Sequence, residues 1–259
     1  MHVIMDPASR PESVAIFSAE HVVAISAIAL CTALLVGVLR RGGPRVRRSV
    51  CWGLAALLIL AWAAGQVQRV WTGTWTLQES LPLHLCNLGL FVAAITLVIV
   101  GWRPPPAAPT GAVSLLQRLF ELTYFWAIGG TSQAILTPDV EGRFPAFSCV
   151  RYFVEHGGLL AAVFVLLLGL RMRPVRGAVL RAWVTTMLLA VVVFAINVAL
   201  DANYMYLLGP PKNPTLYDAF GPWPWALITL VVVGTLIFLL CYAPFWSGNR
   251  RGHAGSAGV

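Results

Sequence analysis

The sequence predicts an all-α fold: a polytopic transmembrane helical bundle of seven spans, forming one domain. Three observations predict it. Of 259 residues, 58% are hydrophobic and only 11% are charged, where a soluble domain carries about 25% charged residues. The apolar residues come in runs near the roughly 20 residues that cross a bilayer. The basic residues fall in alternate connections between those runs, which is how orientation is written into a membrane sequence. The net charge of +8 is therefore a record of topology and does not describe a nucleic-acid face.

Residues 1–18 are polar, with Asp6, Pro7, Pro11 and Glu12, and lack the basic-then-apolar order of a signal peptide. The spans come next, at 21–39, 50–70, 83–102, 115–136, 149–170, 179–200 and 224–242. The fourth is the least regular, because Glu121 and Thr131-Ser132-Gln133 interrupt it. One domain, 19–245, holds all seven, and 246–259 is expected to be a flexible cytoplasmic tail.

Thirteen basic residues lie in the connections after spans 1, 3 and 5 and in the tail, against five elsewhere. Arg40, Arg41, Arg45, Arg47 and Arg48 fill the first of these connections. Basic loops stay cytoplasmic, which predicts an external N-terminus, an internal C-terminus and a multi-pass cell-membrane protein surrounded by lipid. Nine of the ten acidic residues fall on the outer side; Glu121 is the exception.

Direction of travel then places the polar residues. Glu20-His21, His84-Cys86-Asn87 and Glu155-His156 enter from outside; Gln66, Gln133, Asn197 and Asn203 lie near outward exits. Six spans thus bring polar side chains to one depth, which predicts a polar cavity in the outer half of the bundle. Its expected lining is His21, Gln66, His84, Asn87, Gln133, Glu155, Asn203 and Tyr204. Polar groups inside a span are costly and tend to mark function. The plainer reading is that helix ends are polar because they are interfacial.

Cys86 is the candidate nucleophile. Ser80 can cap the helix and Pro82 suits its first turn, which sets Cys86 early in the helix, where the dipole favours an anion. His84 is two residues away and points elsewhere, so a base has to come from another span. His156, followed by Gly157-Gly158, is the candidate. The alternatives are a packing cysteine, a disulfide to Cys149 on the oxidising side, and a His156 that only bonds helix to helix. The five cysteines show no metal spacing. The stretch from Asn203-Tyr204 to Trp223-Pro224-Trp225 is rich in Pro and aromatic residues and reads as a stiff cap.

LPLHLCNL (81–88), FPAF with RYFVEHGG (144–158) and NYMYL with GPWPW (203–225) together resemble the bacterial YwaF-type integral membrane proteins, over about 16–245. That family is in turn similar to a eukaryotic multi-span acyltransferase that loads polyunsaturated acyl chains onto ether phospholipids. It is more distantly similar to the androgen-induced hydrolases of fatty-acid esters. The resemblance implies a lipid acyltransferase or acyl-ester hydrolase with Cys86 and His156 as catalytic pair. Membrane lipids would be its substrates, and no cofactor is needed, since one lipid donates to another. The competing reading is a solute or headgroup binder or transporter, with Glu121 and Glu155 as buried acids. No feature sets the oligomeric state.

Overall fold

The computed structural model describes residues 14–105, 113–138, 140, 142–210 and 216–254. Asp6, Glu12, Asp139, Glu141 and Lys212 lie outside them. All the regular secondary structure among the described residues is helical, with α-helices in the order α1 (Ala19–Arg41), α2 (Pro44–Trp71), α3 (Leu85–Trp102), α4 (Leu115–Trp126), α5 (Ser132–Leu136), α6 (Phe147–Phe164), α7 (Ala178–Leu200) and α8 (Trp225–Ala254).

Local chemistry explains most boundaries. Ser18 caps α1 by accepting from the His21 N–H. Gly42-Gly43 ends it and Pro44 opens α2 at a position where no N–H is missed. A left-handed Gly177 precedes α7, and Asp201, at φ 53°, ends it.

Among the described residues, six helices are long and apolar enough to cross a membrane: α1, α2, α3, α6 with its extension to Gly169, α7, and α8 from Trp225 to Trp246. The expected fourth span differs. Residues 115–136 form a helix in three pieces, in which a π-turn, Ala127–Thr131, separates α4 from α5. Gly129-Gly130 sit inside that turn. It inserts an extra residue into the helical ladder and rotates α5 relative to α4.

The central helices are α3 and α6, with 44% and 50% of their spans buried, while α8 has 11%. Small residues let the helices approach. A Cβ on Gly157 would meet Ile28 of α1, one on Gly158 would meet Leu58 of α2, and one on Gly89 would lie 3.4 Å from Leu159. Such contacts are how helices associate where lipid removes the hydrophobic driving force. Leu58, Leu97, Phe120, Phe125 and Leu166 fill the centre.

The two ends of the bundle differ. One carries the arginines of the α1–α2, α3–α4 and α6–α7 connections. There Glu121, 1% exposed, takes two hydrogen bonds from Arg181, at 2.9 and 2.8 Å, one from Gln117 and one from the Val175 N–H. Oε1 accepts three of these and Oε2 one, so both carboxylate oxygens are engaged. Glu121 thus joins α4 to α7 and the preceding loop, which explains a buried acid at this end. The opposite end holds the starts of α3 and α6 and the chain after α7.

Candidate functional site

The lead into α3 is extended, not helical. Ser80 does not cap α3, as its position suggested. It is buried and accepts from the Thr76 N–H at 3.1 Å. Pro82 lies before the helix, and His84 takes the N-cap position without a side-chain capping hydrogen bond. Leu85 is the first helical residue, so Cys86 is the second. The first-turn N–H groups of Leu85, Cys86 and Asn87 have no cap, and a helix start in that state attracts an anion.

Tyr204 holds this lead-in in place. Its hydroxyl donates to the Leu77 carbonyl at 2.8 Å and accepts from the Leu81 N–H at 2.9 Å. Burial pushes the Tyr204 phenol up, so it stays protonated as a donor. Its ring packs edge-on against His84, with centroids 5.3 Å apart, and Tyr206 packs on the same imidazole. Two motifs more than a hundred residues apart thereby meet on His84. The chain pays for this with left-handed backbone at Met205 and Tyr206, a conformation that costs non-glycine residues about 1–2 kcal/mol each.

The histidines are fixed in complementary tautomers. His84 Nδ1 accepts from the Met205 N–H at 3.4 Å, so neutral His84 carries its proton on Nε2. His156 Nδ1 meets the Tyr152 carbonyl at 2.9 Å. A carbonyl only accepts, so His156 donates from Nδ1 and its Nε2 keeps a free lone pair. The ring also lies over Tyr152, with centroids 4.2 Å apart. One histidine therefore presents a donor and the other a base.

The surroundings of Cys86 come from other helices. The Thr131 hydroxyl, at the end of the π-turn, faces the thiol. Thr131 is fully buried, and its hydroxyl has no other hydrogen-bond partner among the described residues. The charge that bears on Cys86 is Glu155, 7% exposed and held by Arg151 Nη1 at 2.9 Å from both oxygens. Among the described residues nothing links Cys86 to His156. Cys86 and Cys149 are both free thiols; Cys149 packs with Val14 and Val140.

The chain belongs to the TMEM164 family. The family model matches residues 16–242, nearly the whole transmembrane region. No curated protein matches the chain, and no solved structure does. It is a multi-pass membrane protein, as its six apolar helices and this family indicate.

Within this TMEM164 chain the remaining lining residues are spread out. His21 is fully buried with both nitrogens engaged, Nδ1 by the Phe17 N–H and Nε2 by the Ile135 carbonyl at 2.7 Å. It pins α1 to α5. Gln66 accepts from Trp75. Gln133 is exposed on α5. Asn203 closes its own loop onto Leu208 and Gly209. Asn87, half-buried at the third position of α3, has no partner among the described residues.

Sequence reasoning missed Thr131 as a neighbour of Cys86, and it missed Arg151 as the partner of Glu155. The Arg151–Glu155 spacing of four, which sets two side chains on one helix face, was a signal for the ion pair. Nothing local announced the π-turn.

Proposed function

We propose that this protein is an acyl-group enzyme of the membrane, an acyltransferase or acyl-ester hydrolase acting on lipids, with Cys86 as nucleophile and His156 as base. The observation that carries the reading is the start of α3. A thiol at its second position, before uncapped N–H groups, faces a buried hydroxyl without another partner among the described residues. The similarity of the YwaF-type motifs to the ether-phospholipid acyltransferase supports the same reaction.

In this reading the Cys86 sulfur attacks the carbonyl carbon of an acyl ester. The S–C bond forms, the ester C–O bond breaks, and the thiol proton passes through His156 Nε2 to the departing alkoxide. The thioester then gives its acyl group to a lipid hydroxyl or to water, and the thiol is restored. The α3 N–H groups and His84 Nε2–H face the developing oxyanion. Substrate entry has to bring His156 to the thiol, since the resting chain sets Glu155 there.

The same proposal takes 115–136 as a seventh, interrupted span. The arginine-rich end then faces the cytoplasm, the N-terminus lies outside, and lipid reaches Cys86 from the outer leaflet of the cell membrane.

The test is labelling of Cys86 in membranes with an alkyne-tagged long-chain electrophile. Wild type is expected to label, Cys86→Ala to stay unlabelled, and His156→Ala to label roughly a hundredfold more slowly, the effect of losing a positioned base. Acyl-ester turnover that survives Cys86→Ala would end this reading. Solute or headgroup binding that depends on Glu155 but not on Cys86 would replace it.

A further inference from the structure

Among the described residues, four buried side-chain polar atoms lack a hydrogen-bond partner: Arg47 Nε, Trp62 Nε1, Thr131 Oγ1, which faces only the Cys86 thiol, and Arg151 Nε. Arg47 lies at the arginine-rich end. The other three lie in the half of the bundle that holds Cys86, and all three carry a proton to donate. A buried donor without an acceptor is costly, so three together mark a place where an acceptor-rich group belongs.

Their placement comes from helix contacts. Leu58 of α2 touches Gly158, and Arg151 lies across Gly65 of α2, where a Cβ would meet its Cδ at 2.9 Å. Trp62, on the same stripe between them, packs on Phe91 of α3, with centroids 4.9 Å apart. Thr131 reaches the same level from the π-turn.

Arg69 continues the α2 stripe about one turn beyond Gly65. It is half-buried, and its guanidinium has no hydrogen bond or ion pair among the described residues. Its charge acts on His84, Glu155 and Tyr204. Arg151 is matched by Glu155. Glu79 also faces Tyr204 but has a partner of its own. One positive charge is therefore left over near His84 and Glu155, together with unused N–H and O–H donors.

We propose that Arg69, backed by Arg151 and the Trp62 and Thr131 donors, forms a binding site for a phosphate-type oxyanion on the His84 side of the start of α3, two residues from Cys86. Arg69 supplies the charge and a planar fork of donors that fits a phosphate. The inference rests on the acyl-group reading for the reaction it serves. There it makes the phosphate of a lipid headgroup the handle that sets the ester at the thiol. The binding itself needs no reaction.

The test uses the full chain in a maltoside detergent, which brings no phosphate. Two photoactivatable probes with the same acyl chain are compared, a lysophosphatidic acid and a monoacylglycerol. Wild type and Cys86→Ala are both expected to crosslink the phosphate-bearing probe at least about tenfold more than the neutral one. Arg69→Gln is expected to abolish that preference and Arg69→Lys to keep part of it, the difference between a fork and a point charge. Should Arg69→Gln fail to fold, Arg69→Lys and a preference that falls as sodium chloride rises supply the same readout.

Competition by millimolar inorganic phosphate would show that the site takes the free anion as well. Resistance to it would confine the site to lipid headgroups. Equal crosslinking of the two probes by wild type, or a preference that survives Arg69→Gln, overturns the inference. Cys86-dependent turnover of a neutral ester would then leave the enzyme reading intact. Conversely, a phosphate preference without any Cys86 chemistry would leave the site and remove the reaction.

Discussion

Asn197 and Tyr204 exchange two hydrogen bonds, each of 2.8 Å: Asn197 Nδ2 donates to the Tyr204 carbonyl, and the Tyr204 N–H donates to Asn197 Oδ1. Both residues are fully buried. The clasp closes the turn after α7 and thereby sets the Tyr204 ring on His84 and its hydroxyl on the lead into α3. Asn197→Ala leaves two buried backbone groups unmatched, at about 1–3 kcal/mol each. The expected result is a clear drop in the thermal midpoint of the purified protein, with weaker labelling of Cys86. Tyr204→Phe keeps the ring and is expected to cost less. An unchanged midpoint for Asn197→Ala would mean that other contacts hold the turn.

Glu121 is expected to matter for stability alone. Removing one partner of a buried ion pair costs about 3–5 kcal/mol, because the other charge is left uncompensated. Glu121→Gln and Arg181→Gln should therefore lower the unfolding midpoint strongly and by similar amounts. Cys86 labelling in the protein that remains folded should match wild type. A stable Glu121→Gln with altered solute uptake would revive the transporter reading.

Thr131→Val is expected to separate stability from reactivity. It removes a hydroxyl that has no partner beyond the thiol among the described residues, so the fold should be unchanged or slightly more stable, by up to about 1 kcal/mol. The alkylation rate of Cys86 should change several-fold, since the group facing its sulfur has gone. Alkylation kinetics of purified protein decide it; identical rates would mean that Thr131 does not act on the thiol.

Gly157 sits where α6 meets Ile28 of α1, and a Cβ added there would lie only 2.5 Å from the Ile28 side chain. Gly157→Ala is expected to overpack that crossing and cost about 1–3 kcal/mol. Ile28→Ala in the same chain should recover much of the loss, because neighbouring substitutions are coupled. A double variant no better than the single one would show that the strain is relieved elsewhere.

Much of the fold was legible because membrane helices are written locally. Apolar runs marked six spans to within six residues, while the ends set by Ser18, Gly42-Gly43 and Gly177 went unread. The segment 115–136 was not legible in the same way. A run of helical length says nothing about an inserted π-turn, and that turn decides which way Thr131 points. The candidate site was half legible. Cys86, His84 and Tyr204 stood out as polar residues in apolar or aromatic surroundings. His21, Gln133 and Asn203 stood out for the same reason, yet the fold uses their polarity elsewhere or leaves it exposed.

By itself the sequence determined that this chain is helical, membrane-embedded and charged at one end, because hydropathy, capping and charge act over a few neighbouring residues. It also placed a thiol near the start of a span. Only the tertiary structure decided what surrounds that thiol. Thr131 and Glu155 at the thiol, and Tyr204 on the neighbouring His84, come from segments 45 to 118 residues beyond Cys86, and each reaches the site through the rotation of its own helix or turn. That rotation is set by close crossings such as Gly157 on Ile28 and Gly158 on Leu58, and by the Asn197–Tyr204 clasp. Where a polar group finds its partner is a property of packing, and packing is not local.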